Sequence, residues 1–271
     1  MSNLLSLLML PPVAKGLIAM TIAGICFPAA GVMVLRLDLV PMRYMLMHGV
    51  ILGGALSLAF SLPMLPVSLL INLLLVFVIL KLTGDSSQGF GISSAAAMVF
   101  TMAMASLVMH IFDVPAKDTL QLLWGSPFAL GKLEVFTLAC MGIILIVYVI
   151  FNFKTISAIF FDQEIAQSLG MHVRFHHTIM LVSIAMVIAL AMKLLGALLI
   201  DALLILPVLI AAIQAKSLKQ LFIRSCLIGL FLSFFGFLGA IVSDLPPSGT
   251  IALLSALLYL VVHLLHKRKS L

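Results

Sequence analysis

Charge is what this sequence has least of. Asp, Glu, Lys and Arg together supply 9% of its 271 residues, against about a quarter in ordinary water-soluble domains. Hydrophobic residues supply 64% and the mean hydropathy is +1.33, so a water-facing surface cannot be assembled and a soluble globular domain is excluded. A strict apolar–polar alternation is also missing, which excludes a lipid-facing β-barrel. Cysteine is scarce: Cys26, Cys140 and Cys226 are scattered through apolar runs without a C-x-x-C pair, and read as small buried hydrophobes. The first apolar segment lacks a signal-peptide layout, having Lys15 as its only early charge and no small-residue cleavage pattern. No credible nucleotide loop is present, because "GSPFALGKL" (Gly125–Leu133) has five residues between its glycines and a leucine after its lysine. Nor does any Ser/His/Asp or Glu-x-x-His arrangement suggest a membrane hydrolase.

What is there is length in apolar runs. A bilayer-crossing helix needs roughly 20 of them in succession, and nine stretches qualify: 13–35, 44–61, 64–82, 92–112, 133–152, 174–192, 195–214, 220–243 and 249–266. They predict an all-α, polytopic transmembrane bundle of about eight or nine spans. No linker divides it into soluble domains, so residues 1–271 are expected to form one domain. The opening "MSNLLSLLMLPP" is too short to span and reads as an interfacial lead-in. With nine spans and an outer N-terminus, eleven of the fifteen Lys and Arg residues fall on the cytoplasmic side, leaving Lys15, Lys117, Lys132 and Lys193 outside. That bias places the C-terminus in the cytoplasm. The net charge of +6 therefore reports topology and gives no case for a nucleic-acid partner, while the terminal "HKRKS" suits a stop-transfer anchor near membrane lipid.

One polar stretch interrupts the hydrocarbon: "SAIFFDQEIAQSLGMHV" (Ser157–Val173). Asp162 is placed to cap a short helix that runs through Glu164 and Leu169 and stops at Gly170. Phe161, Ile165 and Leu169 share one face at a spacing of four. Two turns of helix are not stable alone, so this one must dock on its own bundle or on a partner. Three other connections stand out: a turn at Leu35–Met45, a Gly/Ser loop "KLTGDSSQGFG" (Lys81–Gly91), and a partly apolar outer segment (Asp113–Lys132) with room for a short or re-entrant helix.

"FFDQEIAQSLGM" resembles the cytoplasmic coupling helix of the zinc- and manganese-importing ABC transporter permeases. Three further stretches are similar to that family and fall in the same order: "LLWGS" (Leu122–Ser126), "AMKLLGALLIDALLILPVLIAA" (Ala191–Ala212) and "DLPPSGTIALL" (Asp244–Leu254). The family's second helix reads Gly-Asp-x-x-x-His. Here "MRYMLMHGVILGGAL" (Met42–Leu56) keeps the histidine as His48 but has Tyr44 where the acid belongs. The resemblance implies a coupling helix at about 160–170, with Phe161, Asp162, Glu164, Ile165, Leu169 and Gly170 contacting an ATPase.

Two ionisable residues inside apolar helices are candidate metal ligands. A charge at mid-bilayer costs about 2.5–3.5 kcal/mol on insertion scales, so it faces a cavity or a partner. Asp201 is such a residue; it either pairs inside the bundle or serves as a pathway carboxylate. Pro207 follows it by six positions and frees the carbonyl of Leu203. His48 is either hydrogen-bonded in the interior or a ligand suited to Zn²⁺ or Mn²⁺. His110, Asp113 and Asp118 read as outer-mouth polarity, His172, His176 and His177 lie beside the coupling segment, and His263 and His266 sit at a cytoplasmic helix end.

The resemblance implies the membrane subunit of a bacterial inner-membrane importer, moving zinc or manganese into the cytoplasm. It would have no resident cofactor and no nucleotide site of its own. Its partners would be a second permease copy, two cytoplasmic ATPases and an extracytoplasmic solute-binding protein. A metal-chelate permease and a self-sufficient secondary transporter or channel are the alternatives.

Overall fold

The structure is a computed structural model describing residues 10–83, 87–114 and 125–269. In chain order its helices are α1 (Pro11–Arg36), α2 (Val40–Ala59), α3 (Met64–Thr83), α4 (Ser87–Ile111), α5 (Lys132–Phe151), α6 (Phe153–Phe161), α7 (Gln163–Ser168), α8 (Val173–Leu195), α9 (Ala197–Leu204), α10 (Leu206–Ala212), α11 (Leu218–Ser243) and α12 (Pro247–Lys269). A 3₁₀ turn at Pro127–Ala129 precedes α5. Eight of these helices are long and apolar enough to cross a membrane, as the all-α, polytopic reading expects.

Two expectations change. The segment read as a span over 195–214 is broken into α9 and α10 at Ile205. Pro207 has no N–H to donate, and Val208 N–H turns back to the Ile205 carbonyl (3.1 Å), so the α-helical ladder is interrupted at this point. The loop read at 81–91 is largely helical, since α3 continues to Thr83 and α4 begins at Ser87. The lead-in before residue 10 and the possible helix at 115–124, with Lys117 and Asp118, lie outside the described residues.

The chain divides into two compact units. The first comprises Met1–Val32, Trp124–Val147 and Leu194–Leu271; the second comprises Met33–Leu123 and Tyr148–Lys193. Lipid is as apolar as leucine, so hydrophobic burial does not hold such helices together. Close backbone approach through small residues does.

In the first unit this approach centres on α1. Pro28 interrupts the ladder of α1 and releases the Gly24 carbonyl. That oxygen lies against Gly229 of α11, where any Cβ would overlap it. A Cβ on Gly31 would overlap the Leu204 carbonyl at the end of α9 and press on Val208 Cγ2. Freed carbonyls in a membrane protein must be packed against protein or a polar cavity, and both of these meet a glycine. Helices α9 and α10 are largely buried and pack on α11 and α12. Ser217 starts α11 by accepting the Gln220 N–H (3.2 Å), while Gln220 Oε1 accepts the Lys216 N–H (3.0 Å).

In the second unit α2 packs on both α3 and α4. Leu52 and Ala55 meet Ala105 and Val108 in its apolar core. The buried side of α3 is a stripe of Ser68, Asn72, Val76 and Ile79, spaced by four, four and three as one helix face requires.

Candidate functional site

His48 lies on the open side of the first half of α2, a helix that is otherwise largely buried. In the first half of α2, Tyr44 is exposed and His48 half-exposed, while Met45, Leu46, Met47, Gly49, Val50 and Leu52 are buried; one turn on, Ile51 packs on the apolar core and Ala55 is fully buried. The spacing of four puts Tyr44 and His48 on one side of the helix. His48 Nδ1–H donates to the Tyr44 carbonyl at 2.8 Å. In the neutral imidazole that bond fixes the tautomer and leaves Nε2 as an acceptor, the form in which histidine ligates a metal.

Tyr44, where the resemblance led to an expected acid, has a cation beside it. The buried Arg43, 3% exposed, sets its guanidinium over the Tyr44 ring, 4.2 Å from the centroid, a cation–π contact. The half of α2 that holds His48 therefore carries positive charge and an aromatic ring where a carboxylate was the family expectation.

Asp201 is half-buried in the middle of α9, and its backbone carbonyl accepts the Ile205 N–H at 3.3 Å just before the break. It belongs to the first unit and His48 to the second. Among the described residues no three His, Cys, Asp or Glu side chains gather as a metal cluster. His263 stacks on Tyr259 with ring centroids 5.8 Å apart. His110 and Asp113 end α4 in exposed positions.

The polar stretch forms a helix–turn–helix. Helix α6 ends at Phe161, and Asp162 turns the backbone to extended geometry before α7. Asp162 Oδ1 accepts both the Glu164 N–H (2.8 Å) and the Ile165 N–H (3.0 Å), which makes it the N-cap the sequence suggests. Gly170, at φ 76°, closes α7 in the left-handed region that suits glycine. Ala166 is buried, whereas Phe161, Ile165 and Leu169 are 85%, 50% and 67% exposed. The apolar face thus points away from its own unit. Asp162→Ala is expected to lower the local stability of α7 by about 1 kcal/mol. Hydrogen–deuterium exchange of a peptide spanning 160–170 should speed up, with α6 protection unchanged.

Sequence reading missed a clasp at the base of this element. Tyr148, near the end of α5, shares a hydrogen bond with His176 Nδ1 of α8 (3.1 Å), and Phe175 packs edge-on against the same imidazole. The clasp joins the helix that enters the polar stretch to the helix that leaves it. The partners are 28 residues apart, so nothing local marks the pair.

Two of the quoted motifs meet in the first unit. Gly125 and Ser126, with Pro127 and Phe128, face Asp244–Ser248 across a cleft of about 470 Å³. Gly125, at φ 55°, approaches the backbone of Leu195 and Gly196 so closely that a Cβ has no room. Asp244, at φ 53°, ends α11 in the left-handed region.

The fold is similar to that of the structure "PsaBC from Streptococcus pneumoniae in complex with Fab", with a TM-score of 0.80, 24% identity, and coverage of 96% of this chain and 94% of that one. The manganese import system permease protein ScaB of Streptococcus gordonii is 26% identical over 251 residues, covering 91% of this chain and 88% of that protein. The high-affinity zinc uptake system membrane protein ZnuB of Buchnera aphidicola is 24% identical over 220 residues, covering 80% and 83%. The ABC 3 transport family model matches residues 9–266, and this membrane-embedded chain belongs to that family.

Proposed function

We propose that this chain is the membrane subunit of a bacterial importer that carries zinc or manganese into the cytoplasm. Two copies would pair and be driven by two separate ATPase subunits, with an extracytoplasmic solute-binding protein delivering the metal. The basic-residue bias supports an outer N-terminus and a cytoplasmic C-terminus, an arrangement that needs the broken segment Ala197–Ala212 to carry the chain across as a ninth passage beside the eight long helices. It also supports α6–α7 on the ATPase side, where the exposed Phe161, Ile165 and Leu169 would dock, with Asp162, Glu164 and Gly170 shaping the helix. The chain contributes no nucleotide site and holds no permanent cofactor; the metal is cargo.

The observation that carries this reading is His48. Its Nδ1 is engaged with Tyr44, and its Nε2 is left to ligate on the open side of α2. Asp201, in the first unit, is a separate candidate for a pathway carboxylate, because an ionisable group within an apolar helix faces a cavity or a partner. A route for ions needs weak, incomplete sites, since a closed four-ligand site would trap the ion.

The test is uptake of radiolabelled Zn²⁺ or Mn²⁺ by the reconstituted complex. His48→Ala and Asp201→Asn should each reduce uptake at least tenfold, with assembly and basal ATPase activity kept. Wild-type uptake by His48→Ala overturns the ligand assignment. A second reading, a metal complex bearing negative charge, is favoured by one feature, the Arg43 guanidinium stacked on Tyr44. Wild-type uptake of bare cations by neither variant nor parent, with uptake of a carboxylate-chelated metal, would select it.

A further inference from the structure

Helix α3 is close to pure hydrocarbon, "MLPVSLLINLLLVFVILKLT", yet two of its four buried positions are polar. Ser68 and Asn72 sit one turn apart, both fully buried. The Ser68 hydroxyl and both polar atoms of the Asn72 amide have no hydrogen-bond partner. An unpaired polar group in a membrane interior is costly. If α3 needed only to pack, alanine or leucine would serve better.

Each polar residue faces a glycine of α2. A Cβ on Gly53 would meet Ser68, 2.6 Å from its Cα and 2.8 Å from its Oγ. A Cβ on Gly49 would overlap Asn72 Oδ1. The amide oxygen therefore occupies the notch left by the missing side chain of Gly49, the residue directly after His48. An oxygen without hydrogens approaches a Cα–H more closely than a methyl group can, through a weak C–H···O contact. Leucine at this position would push α2 away.

We propose that Asn72 is a positioning residue for His48. Seated in the Gly49 notch, its amide fixes the height and rotation of α2 against α3, with the Ser68–Gly53 contact one turn on as the second point. Two such points define an orientation, and that orientation keeps the Tyr44–His48 edge on the open side. This inference rests on the reading of His48 as a cargo ligand.

The experiment measures KM and maximal rate for Zn²⁺ and Mn²⁺ uptake, with assembly and basal ATPase activity, in the full reconstituted complex. Asn72→Leu should assemble but raise the KM of uptake by about 10- to 100-fold, the range typical when a group orienting a metal ligand is lost, with maximal rate and basal ATPase changed far less. Asn72→Ser, which keeps a small oxygen beside the Gly49 notch without adding charge, should raise KM far less than Asn72→Leu does. Gly49→Ala should raise KM through the overlap with Oδ1, and adding Asn72→Ala should recover part of that loss by making room. A wild-type KM in assembled Asn72→Leu overturns the proposal. If that variant fails to assemble, a wild-type KM in Gly49→Ala overturns it instead. His48→Ala is the control that separates the two ideas. If it loses uptake while the Asn72 and Gly49 variants do not, only the positioning role fails; if it transports normally, the ligand reading fails.

Discussion

The double variant Glu164→Lys/Ile165→Asp is expected to reach the membrane folded and to transport no metal. Both side chains are exposed, and neither the cap from Asp162 nor the buried Ala166 is touched, so the permease should lose little stability. Lysine near the start of α7 opposes the helix dipole, at about 0.3–1 kcal/mol, which is small beside the packing of the whole bundle. Docking is another matter. Ile165 is the middle residue of the apolar trio, and a carboxylate there must be desolvated when the face is covered; reversing charge at position 164 removes any complementarity beside it. Interface centres with these features lose 2 kcal/mol or more on truncation alone. Uptake should fall to background, stimulated ATPase activity should vanish, and less ATPase should co-purify. Unchanged uptake would sink the docking assignment of α6–α7.

The largest stability loss is expected from Gly31→Leu. The space beside Gly31 is filled by the Leu204 carbonyl and Val208 Cγ2. A side-chain neighbour could rotate aside, but a backbone oxygen at the α9–α10 break can move only with both helices. Overpacking of this kind costs 1–3 kcal/mol and sometimes more; here we expect about 3 kcal/mol or above, enough to abolish recovery of monodisperse protein. Gly239 provides the control. A Cβ there meets nothing within 4 Å, so Gly239→Ala near the C-terminal end of α11 should be neutral or stabilising by up to about 1 kcal/mol. Thermal unfolding in detergent, followed by size-exclusion recovery, separates the two. Equal behaviour of both variants would show that the close approach at Gly31 is not a constraint.

What could be read before any coordinates follows from the range of each interaction. Spans were legible because lipid solvation acts on runs of about 20 residues, and Asp162 was legible because its cap bonds reach only two and three residues ahead. The break in α9–α10 was half visible: Pro207 was noted for freeing a carbonyl, but the apolar composition of Ala197–Ala212 gave no sign that the chain turns at Ile205. Asn72 was hidden inside "LLINLLL", where nothing local distinguishes an amide facing lipid from one seated on a glycine. The Tyr148–His176 clasp and the Gly125–Ser248 cleft join distant residues, and no single stretch encodes either. Tyr44 was seen as a missing acid, while the stacking of Arg43 on its ring depends on side-chain geometry that the residue order leaves open.

The broken segment Ala197–Ala212 also bears on biogenesis. Its 16 residues amount to roughly 24 Å of helix even if unbroken, short of the roughly 30 Å hydrocarbon core, and its interruption exposes carbonyls that lipid cannot satisfy. The helices that cover it, α11 and α12, are synthesised after it. During translation the segment must therefore wait, held at the translocon or by α1, until the last fifty or so residues arrive to close over it. Ribosomes that stop short of α12 would release a chain whose first unit has no means of sealing, whatever the quality of the helices already made.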